Sequence, residues 1–288
     1  MAFFDVKPYV QKFNDLLVLR DLTYNTVKSY NSMLRCYLSW VASCQLTPEA
    51  VSFAEIRAYI LFLKQSKALS NRTINAHISQ LRFFHLYVLR NPWDKYEVPY
   101  MKFHTSLPDI LTFDEVNDFI HTIPNLKHKA CVALLYSSGL RVSELRHLRY
   151  EDISREDMRI YIRSSKSRSD RYAILSKKAL AILTEYWFSF GKPRDWLFPG
   201  TKGDSPIVSF TVSRFISDHC RFLGWDKPVT AHMFRHSFGT HLYEQGYDLL
   251  SIQKLLGHKS ANSSLVYVHL GTATMKKLKS PFDREGDL

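Results

Sequence analysis

Apolar residues recur at three- and four-residue steps through roughly the first ninety positions, and this spacing predicts helices. Val27, Tyr30, Leu34, Leu38 and Val41 fall on one helical face, and Ile56, Tyr59, Ile60 and Leu63 fall on another. A third run, Ile74, Ile78, Leu81 and Val88, carries His85 as its one polar step, read as a satisfied histidine at the edge of a core. The opposite side of that helix holds Arg72, Asn75 and Arg82. Asn91-Pro92-Trp93 ends the run, because proline disfavours helix at the residue before it. From Tyr96 to Pro108 neither period is present, which marks a linker. Thr112-Phe113-Asp114-Glu115 then has the form of a capping box at the start of a new helix.

Past the linker the pattern mixes element types. Ala130 to Tyr136 reads as a buried helix stopped by Gly139. Arg159-Ile160-Tyr161-Ile162-Arg163 and Arg171-Tyr172-Ala173-Ile174 alternate polar and apolar, which is the strand period, and the polar stretch Ser164 to Asp170 between them has hairpin character. Helical patterns dominate again from Lys178 onward. The expectation is a mainly α chain with a small β-sheet, in two modules: a helical one at 1–105 and a mixed one at 106–288.

Charge changes the picture from fold to partner. The 288 residues hold 39 Lys and Arg against 27 Asp and Glu, a formal net charge of +12. Residues 1–105 hold 13 basic and 7 acidic side chains and the remainder 26 and 20, so each module carries about +6. An excess of this size on both modules points to a shared polyanion, since each phosphate neutralised releases condensed counterions. Four scattered cysteines (Cys36, Cys44, Cys131, Cys220) form no C-x-x-C pair and no disulfide framework, as in a reduced, intracellular protein. The start Met1-Ala2-Phe3-Phe4-Asp5 lacks the form of a signal peptide, and no apolar run reaches membrane-span length. A soluble, cytoplasmic protein with no membrane partner is expected.

Three separated segments carry chemistry. The first, Gly139-Leu140-Arg141-Val142-Ser143-Glu144-Leu145, puts an arginine just beyond a helix stop, where its fork can meet a phosphate. In the second, Ala231-His232-Met233-Phe234-Arg235-His236, three-residue spacing sets His232 and Arg235 on one helical face. His232, His236 and His241 also raise a zinc reading, but the glutamate of H-E-x-x-H is absent, and no metal is expected. The third is Leu255-Leu256-Gly257-His258, with Tyr267 nine residues after the histidine. No G-x-x-x-x-G-K-[ST] run implies a nucleotide, and no cofactor is expected.

Together these segments resemble the tyrosine recombinase, or phage-integrase, family, which is characterised by G-L-R-x-S-E-L, then H-x-x-R, then G-H and a tyrosine about nine residues on. The resemblance covers the second module closely and fits the first as that family's core-binding domain. It implies a C-shaped two-domain clamp on double-stranded DNA, and a homotetramer that exchanges strands of two duplexes through a Holliday junction. By position, Arg141 and Arg235 would clamp the scissile phosphate, His232 and His258 would add donors, and Tyr267 would be the nucleophile. Lys166 would protonate the leaving 5′ oxygen, and Glu144 would support by orienting a neighbour. The loop here is Ser165-Lys166-Ser167, where the family often has G-K-G. Arg72, Arg82 and Arg168 are candidate DNA contacts.

With no evident extra arm-binding domain, the chain is similar to Xer-type and simple integrases, as in a bacterial or mobile-element enzyme. Residues after Tyr267, with Met275-Lys276-Lys277-Leu278 as a last helical turn, would dock on a neighbouring subunit. Two preorganised guanidiniums and two imidazoles can stabilise charge developing on a phosphoryl group without a metal. A tyrosine ester splits one hard displacement into two easier ones and keeps the bond energy for rejoining. The rival readings are a type IB topoisomerase-like nicking and closing enzyme, a DNA-binding regulator without catalysis, and a basic chromatin-type protein.

Overall fold

In the computed structural model the chain is mostly helical and divides into two compact units, residues 1–105 and 106–288. The structure describes residues 4–104, 107–163, 170–201, 203–257 and 262–270.

In the first unit, α1 (Lys7–Leu19), α2 (Tyr24–Ser43), α3 (Phe53–Gln65) and α4 (Asn71–Phe83) enclose one apolar core. The starts of α2, α3 and α4 are set by short polar side chains that accept otherwise orphaned N–H groups: Thr23 from Thr26, Ser70 from Thr73, and Ser52 in a full capping box with Glu55. Each stripe read from the periodicity turns inward, with Leu34, Leu38, Val41, Ile56, Leu63, Ile74, Ile78 and Leu81 buried. The α4 face is more polar than its spacing suggested. His77 and Gln80 are buried beside the apolar residues, and His85 lies wholly inside the core rather than at its edge.

The Tyr37 hydroxyl stands 3.2 Å from His85 Nε2, and burial pushes the imidazole pKa down to about 4. A π-helical stretch, Phe84–Leu89, follows α4 and ends on Arg90 in the left-handed region, one residue before Asn91. Asn75 is committed to structure. Its amide donates to Met101 O at 2.9 Å and accepts from Met101 N at 2.8 Å, while Asn71 donates to Lys102 O. The irregular chain after α4 is thus clamped to α4 through its backbone.

In the second unit, α5 (Phe113–Thr122) opens with the capping box read from the sequence: Glu115 N donates to the Thr112 hydroxyl, and Thr112 N donates to the Glu115 carboxylate. The central helix α6 (Leu126–Ser137) buries Ala130 through Leu135 without interruption, as a helix packed on every side must. Around it lie α8 (Lys177–Ser189), α9 (Ser209–Phe222) and α10 (Ala231–Glu244), with the short α7 (Val142–Arg146) after α6.

A three-stranded antiparallel sheet is ordered β1 (Ile153–Ser154), β2 (Arg159–Ile162), β3 (Arg171–Ile174). Ile160 faces Ala173 and Ile162 faces Arg171 in the β2–β3 register. The strand β1 is only two residues long and has no period to read. Residues 195–201 and 203–208 are irregular rather than helical, and Leu197, Phe198 and Ile207 fill the core from there. Lastly α11 (Leu249–Leu256) and α12 (Asn262–Leu270) pack on α10. Among the described residues no helix is long and apolar enough to cross a membrane.

Candidate active site

Gly139 and Gly257 punctuate the site. Gly139 ends α6 at φ +59°, and a Cβ there would lie 2.5 Å from the Phe238 ring. The chain thereby turns directly into Leu140 and Arg141, and Arg141 caps the short helix α7. Glu144, in the first turn of α7, reaches back to accept the Arg141 N–H at 2.8 Å and Arg141 Nη1 at 2.7 Å. Gly257 ends α11 at φ +63°, a conformation that L side chains rarely adopt. That turn leaves the last carbonyls of α11 available: Leu256 O accepts Arg235 Nη2 at 2.5 Å, and Gly257 O accepts Arg141 Nη2 at 3.2 Å.

Arg235 is more deeply placed than Arg141, Glu144 or Arg171. It lies on α10, only 4% exposed, and its fork donates to Gly139 O and Leu256 O, each at 2.5 Å. Both carbonyls lie at the C-terminal ends of helices, where the dipole is negative and favours a cation. A buried guanidinium without such partners would cost several kcal/mol. Burial, and after it the neighbouring Arg141, brings its pKa down to about 10, so it remains charged at neutral pH. Its Nη1 is 3.7 Å from the Glu144 carboxylate.

His232 begins the same helix, where Thr230 accepts the Met233 N–H. Its imidazole reaches the surface, and its pKa is lowered by partial burial and then by Arg235 and Arg141. His236, one turn on, is half-buried, and its pKa is lowered by burial, His232 and Arg235.

Tyr267 lies on α12 and is fully buried among Phe238, Leu242, Ile252 and Leu256. Its ring occupies the space that a side chain at Gly239 would fill: a Cβ there would stand 2.5 Å from Tyr267 Cζ. The His236 ring centroid is 6.2 Å from that of Tyr267. Burial raises the phenol pKa to about 12, while Arg235 and Arg141 both pull it down. The phenol thus lies within electrostatic reach of both guanidiniums.

The structure brings Arg141, Glu144, His232, Arg235 and Tyr267 together from α7, α10 and α12. Lys166, Arg168 and His258, and the segment from Met275 to Leu278, lie outside the described residues. Arg72 and Arg82 are exposed on α4 of the first unit, Arg72 with its guanidinium 5.6 Å from the Phe103 ring centroid. His241 does not join His232 and His236. Its Nδ1 is 2.9 Å from the Tyr136 hydroxyl, and among the described residues no group of His, Cys, Asp or Glu is placed to hold a metal.

One member of the cluster escaped the sequence reading. Arg171, on β3, is 12% exposed in its side chain and bonds Glu144 Oε2 through Nη2 at 2.9 Å. Strand phase carries the signal, because Arg171 shares the inward face of β3 with the buried Ala173.

Residues 109–273 match the Phage integrase family, and residues 9–95 match the N-terminal SAM-like domain of phage integrases. A tyrosine recombinase of Pseudothermotoga lettingae is 32% identical over 271 residues, covering 91% of this chain and 93% of the relative. Tyrosine recombinase XerD of Chlorobaculum tepidum is 29% identical over 295 residues, with 95% of each chain covered. The solved Tn1549 transposon integrase in complex with a circular intermediate DNA superposes with a TM-score of 0.75 at 19% identity, over 94% of this chain and 99% of that one, which establishes the shared fold. The chain belongs to the phage integrase family and is a tyrosine site-specific recombinase.

Proposed function

We propose that this chain cuts and rejoins double-stranded DNA at a specific site through a covalent ester on Tyr267. The observation that carries the assignment is a phenol buried between α10 and α12 whose proton the charges of Arg235 and Arg141 both loosen, the two guanidiniums being themselves held by helix-end carbonyls and one carboxylate. The Tyr267 oxygen attacks the scissile phosphorus and loses its proton. The bond from phosphorus to the 5′ oxygen breaks, and that oxygen takes up a proton as it leaves. A 3′-phosphotyrosyl link remains, and attack by a 5′ hydroxyl runs the same steps in reverse.

Arg141 and Arg235 hold the two non-bridging oxygens where charge builds up, and preorganised donors at that place usually lower such a barrier more than any other single device. His232 hydrogen-bonds the same phosphate and assists proton transfer. By family position, His258 completes the donor set and Lys166 protonates the leaving oxygen. Glu144 orients Arg141. Residues 1–105 serve as the core-binding domain and 106–288 as the catalytic domain. Four copies act on two duplexes through a Holliday junction, the tail beyond Tyr267 docking on a neighbour, in the cytoplasm of a bacterial host or on behalf of a mobile element.

The test traps the ester. Genomic fragments nicked so that cleavage cannot reverse are incubated with wild type and with Tyr267→Phe, and covalent protein–DNA adducts are resolved on denaturing gels. An adduct with wild type alone is expected, and sequencing its DNA yields the site. Binding by both proteins with no adduct from either would favour a regulator. An adduct surviving in Tyr267→Phe would place the nucleophile elsewhere, and relaxation of plasmid lacking the site would favour a nicking and closing enzyme.

A further inference from the structure

The Glu144 carboxylate is the hub of the site, and its third partner has no role in the chemistry described above. Oε1 takes Arg141 Nη1, whereas Oε2 takes the Arg141 backbone N–H and Arg171 Nη2 and has Arg235 Nη1 3.7 Å away. A carboxylate between two phosphate-binding arginines works against them, because it neutralises one charge and competes with the phosphate for both forks. Arg171 offsets this in two ways. It occupies Oε2, so Arg235 stays on the Gly139 and Leu256 carbonyls. It also leaves three guanidiniums against one carboxylate, an excess of two positive charges where a phosphodiester is to sit.

The surroundings are fitted to Arg171. Its side chain is 12% exposed, and it runs beneath Gly257, where an added Cβ would approach Arg171 Nε to 2.6 Å. Gly257 therefore serves twice, turning its carbonyl to Arg141 and leaving room for Arg171. Arg171 Nη1 is also buried, with no hydrogen-bond partner among the described residues.

We propose that Arg171 is a positioning residue for the recombinase reaction, pinning Glu144 so that Arg141 and Arg235 keep their aim and positive charge for the scissile phosphate. This rests on the reading that those two arginines clamp that phosphate. Arg171 acts through Glu144, and the effect is electrostatic, so it scales with the charge on the reacting phosphate.

The experiment uses the full chain and a nicked duplex carrying the site recovered by trapping, in two forms. One has the natural phosphodiester and the other a neutral methylphosphonate at the scissile position. Arg171→Met is expected to slow adduct formation about 100-fold on the phosphodiester, the scale of losing one preorganised donor, but less than about threefold on the methylphosphonate. Arg171→Lys, which restores charge but not the fork, should recover to within about tenfold of wild type. Arg159→Met removes one charge from an exposed position on β2 and should change neither rate.

Equal losses of Arg171→Met on both substrates would mean a purely structural role and overturn the proposal, as would wild-type rates on both. Should Arg171→Met fold poorly, the ratio of the two substrates in Arg171→Lys decides in the same way. Tyr267→Phe is run beside them. Persistence of its adduct would overturn the nucleophile assignment alone, while the substrate ratio would still report on Arg171.

Discussion

His232 and Arg235 stand three residues apart on α10, and their surroundings give them opposite tasks. Arg235 is buried and locked to two carbonyls, a fixed positive charge. His232 reaches the surface, and its pKa is held below the ordinary value by burial and then by the positive charges of Arg235 and Arg141. The sign decides the pH profile. A histidine with a lowered pKa is neutral at pH 7, can accept a proton from a phenol, and loses that capacity only as pH falls below the usual value of about 6.5. Adduct formation should therefore hold from pH 7.5 to about pH 6.5 and decline on the acid side below it, and His232→Asn should lose at least about 100-fold and flatten that decline. Rates measured across pH for both proteins check this. An acid limb that persists in His232→Asn would move the role to His236, whose pKa is lowered too and whose ring lies beside Tyr267.

The packing of α12 on α10 depends on a missing side chain. Gly239 has no positive φ to justify it; its reason is contact, since the Tyr267 ring lies where a Cβ would be, with Cζ, Cε1 and Cε2 all within 2.9 Å of it. Those atoms belong to a rigid ring on a neighbouring helix, so Gly239→Ala should displace α12 rather than one side chain. A stability loss of about 1–3 kcal/mol is expected from overpacking, with a drop in adduct yield larger than that loss explains. Thermal unfolding and the trapping assay on one preparation check this.

Much at this scale was legible in the sequence, for identifiable reasons. The stripes on α2, α3 and α4 repeat long enough to show a period, and Thr112 with Glu115 forms a local motif whose parts are three residues apart. What escaped depends on contacts distant in sequence. The inward polar residues His77, Gln80 and His85 break the α4 pattern, and His85 is satisfied by Tyr37, 48 residues away. Arg171 meets Glu144 across 27 residues. The alternation along β3 was visible, but its phase is set by pairing with β2, which no local pattern states. The motif Leu255-Leu256-Gly257-His258 was recognised by resemblance, whereas the structure supplies its reason: a left-handed glycine presents two helix-end carbonyls to the two arginines.

At the scale of the whole molecule, charge is divided evenly, about +6 in each unit, although the clustered chemistry lies in one. If only the second unit met the phosphates, the excess on the first would be a solvated surface without consequence for binding. The first unit gives its basic residues little else to do on α4, where Asn71 and Asn75 clamp the following chain while Arg72 and Arg82 stay exposed. Each phosphate neutralised releases counterions, so the logarithm of affinity should fall with the logarithm of salt by about 0.9 per contact on duplex DNA. Replacing Arg72 and Arg82 together by Gln should weaken binding to specific and unrelated duplexes by a similar factor and lower the salt slope by about 1 to 2, because phosphate contacts carry no sequence information. Titrations at four salt concentrations, with each of two duplexes, measure both quantities. A slope equal to that of wild type would make this face of the first unit a bystander and leave its charge to other residues. A loss confined to the specific duplex would instead place one of the two arginines at a base edge, reading sequence in a groove.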